Sequence, residues 1–180
     1  MKDAKGFTLL ELMVTIAVVA IITAIAIPAF INWLPAYRLR SAAMDIYSGM
    51  QWARLDAVKE NKECAVYFDV NNILYYVSND SGDGDWTTQQ NNVHVKGDFL
   101  SNYGSGVTFG KGSATKDPDG NAITDYVTYT GPTDFLVFNS RGLSNAGWVF
   151  LTNDHGDVYA VGTLTSGVIK LRKYEGGSWK

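Results

Sequence analysis

Residues Gly6 to Phe30 read GFTLLELMVTIAVVAIITAIAIPAF, an apolar run with one carboxylate, Glu11, near its start. Leu12–Ile31 alone is 20 residues, interrupted only by Thr15, Thr23 and Pro28. At about 1.5 Å per residue that helix would span roughly 30 Å, the thickness of a bilayer core. Lys2 and Lys5 precede the run, against Asp3, which predicts a cytoplasmic N-terminus and an exported bulk. A plain signal-anchor accounts for the length and the lysines. A secretory signal cut after Ala26 is also open, because Ala24-Ile25-Ala26 places small residues at the required spacing. Neither gives Glu11 a purpose, although an acidic residue at the centre of a membrane helix costs about 2.5–3.5 kcal/mol and less towards its end.

A third reading uses the carboxylate. The stretch KGFTLLELMV, residues 5–14, joins a basic leader ending in Gly6 to Phe-Thr-Leu-Leu-Glu at the head of the apolar helix. It resembles the class III leader of type IV prepilins. The resemblance implies cleavage after Gly6, next to Lys5, by a membrane prepilin peptidase, which also methylates the new amine on Phe7. The helix is then retained. It further implies that Glu11 meets the Phe7 ammonium of a neighbouring subunit during assembly, and that Pro28 is the kinking proline common in pilin helices. Two charges that are each unfavourable in lipid would neutralise one another.

Past Pro28 and Pro35 the chain changes character. Leu39, Ala43, Ile46, Met50, Ala53 and Ala57 recur at alternating spacings of four and three, one stripe of an amphipathic helix. Arg38, Arg40, Asp45, Arg54, Asp56, Lys59 and Glu60 lie mostly off the stripe, whose small residues allow another layer to approach closely. A helix from Phe7 to about Lys59 would be roughly 80 Å long, with bends expected at the prolines. The segment resembles the helix of the GspH/FimT group of minor pilins and pseudopilins. That group's ending, Q-x-A-R-x-x-A-[VI]-x-x-[NQ], reads here as Gln51, Ala53, Arg54, Ala57, Val58 and Asn61.

Beyond Lys62 the periodicity falls to two. CAVYFDV and ILYYVS flank Asn71-Asn72, a hairpin signal because Asn tolerates positive φ. Further strands are predicted at Val93–Lys96, Val107–Gly110, Tyr126–Thr130, Phe135–Asn139, Trp148–Thr152, Val158–Val161 and Gly167–Lys173. Abundant aromatics, 18 Gly and only four Pro suit a β-rich domain with open loops. The C-terminal stretch from Phe135 is similar to the GspH/FimT domain ending: an F-x-x-x-G turn at Phe138 and Gly142, then Ser166-Gly167 before a last strand. The expected fold is α+β: a long N-terminal helix packed on an antiparallel β domain, with two sheets expected to form a sandwich. Boundaries fall at 1–6 (leader), 7–34 (transmembrane or filament-core helix), 35–62 (amphipathic helix) and 63–180 (β domain).

The remaining chemistry is thin. Two acidic glycine loops, one with Asp80, Asp83 and Asp85 and one with Asp117, Asp119 and Asn121, lack the order of a calcium loop and read as solvated turns. His94 and His155 form no metal or catalytic motif, Cys64 reads as a buried thiol, and no G-x-S-x-G elbow occurs. No metal, cofactor or enzymatic activity is expected. A net charge of −3 does not suggest a nucleic-acid binder. Lys170, Arg172 and Tyr174 alternate on one side of the last strand, beside Lys173, which in a DNA-uptake pilin would contact nucleic acid. Such relatives often begin this region G-R-x-R, where this chain has Val168, and an edge strand blunted by charge is favoured. The expectation is a structural subunit: a minor pilin or minor pseudopilin. It would be held in the bacterial inner membrane by one span with its domain in the periplasm. It would then join other pilins in a filament, at the tip or in initiation. A DNA-binding subunit and a major pilin are the alternatives.

Overall fold

A computed structural model describes residues 6–79, 93–104, 106–129 and 135–180, with 93–96 given by backbone alone. The chain divides into two compact units, Met1–Leu34 and Pro35–Lys180. One helix, α1 (Leu9–Glu60), has residues in both and is assigned without a break through Pro28 and Pro35. In the first unit every residue from Gly6 to Trp33 is exposed. Its Leu, Ile, Val and Phe side chains are exposed among the described residues, and the helix is long and apolar enough to cross a membrane.

In the second unit α1 buries the predicted stripe. Leu39, Ala43, Ile46, Met50, Ala53 and Ala57 are all buried, joined by Ala42 and Gly49. The small residues have a specific use. A Cβ added at Gly49 would stand 2.9 Å from the Tyr75 ring, and the Tyr75 hydroxyl donates to Asp45 one turn earlier. The helix ends on Asn61, which takes φ 53, while the Lys62 amide reaches back to the Ala57 carbonyl at 3.1 Å. This is the left-handed cap that stops a helix by satisfying its last carbonyls, and Asn adopts it more readily than most residues.

The β domain holds two antiparallel sheets. The first contains β1 (Cys64–Asp69), β2 (Leu74–Asn79), β3 (Val93–Phe99) and β5 (Phe135–Phe138), in the order β3-β2-β1-β5. The second contains β4 (Thr108–Phe109), β6 (Gly147–Thr152), β7 (Val158–Thr163), β8 (Ile169–Glu175) and β9 (Ser178–Trp179), in the order β4-β6-β7-β8-β9. Helix residues share one core with Val66 and Phe68 of β1, Tyr75 and Val77 of β2, and Leu136 and Phe138 of β5. From the second sheet come Val149 and Leu151 of β6, Val161 of β7 and Ile169 of β8. The fold is α+β, one long helix on two antiparallel sheets. Trp148, Phe150 and Ala160 point to the opposite face of the second sheet, where Ala114 and Ile123 of the 110–125 segment cover them.

Four local expectations need correction. The β1–β2 turn places Ile73, not an Asn, at positive φ (55). Its side chain packs on the core and its carbonyl accepts the Leu100 amide at 2.9 Å, which holds a conformation β-branched residues otherwise avoid. Residues 126–129 form only an isolated bridge, Val127 to Val149, instead of a strand. There the Trp148 amide is taken by the Thr128 hydroxyl at 2.8 Å, so a side chain displaces a ladder acceptor. Thr130 lies outside the described residues. The Val107–Gly110 strand shrinks to Thr108–Phe109, and the last strand is followed by β9, absent from the sequence reading. Gly176 and Gly177 sit at φ 61 and 82 between β8 and β9, a two-residue hairpin turn whose positive φ values glycine adopts without strain.

Candidate functional site

The N-terminal site is built on the first turn of α1. Thr8 precedes the helix and Glu11 is its third residue, the T-x-x-E spacing of a capping box. The Thr8 amide donates to Glu11 Oε2 at 2.9 Å and the Thr8 hydroxyl to the same oxygen at 3.0 Å. The Glu11 amide donates back to Thr8 Oγ1 at 3.2 Å. Both bonds to the carboxylate therefore land on one oxygen, and Oε1 receives neither. Phe7, Leu10, Glu11, Val14 and Thr15 line a shallow apolar groove around it. Gly6 and Phe7 are exposed, Phe7 to 87%. Pro28 lies within the exposed part of the same helix, and Lys5 is outside the described residues. Thr8 was missed as a functional residue, although the spacing from Thr8 to Glu11 was legible.

A second constellation gathers residues that the family resemblance had quoted separately. The Arg54 Nε–H on α1 donates to the Gly142 carbonyl at 3.1 Å, across 88 residues of chain. Gly142 closes the turn after Phe138 at φ 74, and Asn139 Oδ1 accepts the Arg141 and Leu143 amides at 3.0 and 3.1 Å. Gly167, at φ 75, lies so close that an added Cβ would collide with the Gly142 carbonyl oxygen and sit 3.3 Å from Arg54 Nε. Ser144 Oγ donates to the Leu164 carbonyl at 3.0 Å and ties the two turns together. Arg54, Gly142 and Gly167 thus meet at one point, where they lock the helix, the turn after β5 and the turn before β8. Nothing in this arrangement resembles a reacting group.

The C-terminal residues are distributed over both faces of β8. Lys170 lies beside Gly162 and Arg172 beside Ala160 in the ladder with β7, on the face that also carries Tyr174. Arg172 is exposed, but the Tyr174 ring packs against Trp179 at a centroid distance of 5.1 Å. Trp179 is itself fixed by an Nε1–H bond to the Lys116 carbonyl at 2.7 Å. Lys173 faces the other way and pairs with Glu175 at 3.2 Å, which also meets Lys180 at 3.4 Å. The Lys170–Arg172 face thus presents two cations, and its Tyr174 ring is already packed on Trp179.

The Asp117 loop is self-contained. Asp117 Oδ1 accepts the Asp119 and Asn121 amides at 2.9 and 2.8 Å, Oδ2 accepts the Asn121 side chain at 3.1 Å, and Asp119 accepts the Trp148 indole N–H at 2.6 Å. Those carboxylates organise a turn. The Asp80, Asp83 and Asp85 loop lies outside the described residues, and among the described residues no group of three His, Cys, Asp or Glu is arranged to hold a metal. Cys64 is buried, and desolvation first, then the Asp56 charge, pushes its thiol up to about 12, the opposite of activation. His155 is exposed on the β6–β7 turn.

Comparison with known proteins bears on both constellations. A family model described as a prokaryotic N-terminal methylation motif matches residues 1–27, the stretch that holds Gly6, Phe7 and Glu11. The chain is 36% identical over 73 residues to a type IV major fimbrial protein FimA of Dichelobacter nodosus, covering 39% of this chain and 46% of that protein. A fimbrial protein of Pseudomonas aeruginosa is 38% identical over 63 residues, or 35% and 40% of the two chains. The chain thus spans less than half the length of these curated relatives. A further FimA of Dichelobacter nodosus is 29% identical over 125 residues, 68% of this chain and 70% of its own. In fold, the minor pseudopilin EpsH from the type 2 secretion system of Vibrio cholerae is similar at TM-score 0.52 and 14% identity, covering 74% of this chain and 95% of that one. A model described as type II transport protein GspH matches residues 42–167, well over half the chain, from the amphipathic helix to Gly167. The protein therefore belongs to the GspH family and carries an N-terminal methylation motif.

Proposed function

We propose that the chain is a minor subunit of a type IV pilus or a type II secretion pseudopilus, processed at Gly6 and assembled through its N-terminal helix. The methylation motif over residues 1–27 carries this reading, with Gly6 and Phe7 accessible and Glu11 in the first helical turn. Residues 1–6 are the leader, removed by a prepilin peptidase that methylates Phe7. Residues 7–34 anchor the subunit in the inner membrane by a single span, and 35–62 with 63–180 form a periplasmic domain. On assembly the apolar face, exposed in this chain alone, leaves lipid for a protein-lined filament core. Glu11 then takes the Phe7 ammonium of its neighbour. The likeness to a protein described as a minor pseudopilin supports a minor role over a bulk one, and we place that role at the tip or in initiation.

Intact mass of the membrane-extracted protein tests the processing step. A chain beginning at Phe7 with one added methyl is expected, and one beginning at Ile27 overturns the reading. Glu11→Ala should stay in the membrane and be lost from filaments, so normal incorporation of that variant would remove the pairing step.

A further inference from the structure

We infer that Thr8 is the positioning residue for Glu11: it holds one carboxylate oxygen inside the chain so that the other is presented to the neighbouring subunit's amine. The inference rests on the pairing reading above and adds to it the residue that sets the carboxylate's orientation. A glutamate has three rotatable side-chain bonds, and in an apolar surrounding no water selects among their settings. Here the choice is made by three hydrogen bonds. The Thr8 amide and hydroxyl fix Oε2 at 2.9 and 3.0 Å, and the Glu11 amide fixes the Thr8 hydroxyl at 3.2 Å. The hydroxyl both donates and accepts, a pair of duties a methyl group cannot fulfil.

The same bonds bear on the waiting subunit. Before assembly the carboxylate stands in the groove lined by Phe7, Leu10, Val14 and Thr15, whose surface is nearly all apolar. Thr8 supplies two donors there without help from lipid or water. When the neighbour arrives, its ammonium takes Oε1 while the bonds to Oε2 remain, so no in-chain bond is broken on pairing. The Thr8 amide belongs to the peptide bond after Phe7, and cleavage after Gly6 leaves it in place.

The test uses the full chain in the cell that assembles it, comparing Thr8→Val, Thr8→Ser, Thr8→Asp and Glu11→Ala. Membrane content and filament content are measured on the form cut at Gly6. Thr8→Val should keep its membrane content and lose about tenfold in filament content, the scale of one hydrogen bond to a charged group. Thr8→Ser, which keeps the hydroxyl, should restore it. Thr8→Asp caps helices at least as well as Thr but offers no side-chain donor and repels Glu11. It should therefore remain low. Full incorporation of Thr8→Asp would show that Thr8 acts only as a helix cap, and wild-type incorporation of Thr8→Val would overturn the proposal outright. If Thr8→Val is not recovered in the membrane, the contrast between Thr8→Ser and Thr8→Asp decides. A defective Glu11→Ala beside a normal Thr8→Val sinks only the role of Thr8, whereas a normal Glu11→Ala sinks the pairing reading itself.

Discussion

Glu11 changes meaning once its neighbours are seen. Alone in an apolar run it is a charge in need of a partner, and the partner we propose is the Phe7 amine of a neighbouring subunit. The structure adds that Thr8 already serves half of the carboxylate. Glycine shows the same contrast between chain and space. Gly167 and Gly176 both take positive φ, 75 and 61, but an added Cβ meets the Gly142 carbonyl at the first and nothing within 4 Å at the second. Gly176→Ala should therefore cost only the backbone strain of about 1–2 kcal/mol. Gly167→Ala should cost roughly 3 kcal/mol or more, because strain and overlap add. Denaturant unfolding of the detergent-solubilised chain separates the two.

At the scale of elements, local pattern was most informative where one face of one element is buried. The stripe from Leu39 to Ala57 was readable because helical spacing alone decides which residues point together. Asn61 ends the helix for a reason confined to its own backbone. The segment 126–129 shows the limit: it has the composition of a strand and lies beside β6, yet Thr128 bonds through its hydroxyl and the ladder stops. The junction of α1 with the two turns rests on Arg54. Arg54→Ala should lower unfolding stability by about 1–2 kcal/mol, by leaving the partly buried Gly142 carbonyl without its donor. Arg54→Lys should recover little, since a flexible ammonium does not reproduce an Nε–H held by the guanidinium plane. The same denaturant titration reads both variants.

For the molecule as a whole, burial has raised several weak acids together. Cys64 moves from 9.0 to about 12 and Tyr76 from 10.0 to about 12, each chiefly by desolvation, and burial also raises Tyr75 and Tyr129. A group bound more tightly to its proton when folded contributes fully below its unfolded pKa and loses that contribution as pH rises through the folded one. Stability should therefore be insensitive to these groups below about pH 9 and fall progressively towards pH 12. Cys64→Ala should remove the earliest part of the fall, measured as the denaturant midpoint against pH.

The sequence by itself determined the apolar N-terminal helix with its methylation motif, the buried stripe, the existence of most strands and the family. Each follows from spacing or charge within a few residues, where covalent geometry decides which side chains are neighbours. Tertiary structure alone decided that Arg54, Gly142 and Gly167 would share one point, that Ile73 would bear a strained turn held by the Leu100 amide and that the Trp179 indole would be fixed by the Lys116 carbonyl. Those pairings join segments far apart in the chain. They are selected by close packing around a common core, and no local preference encodes them.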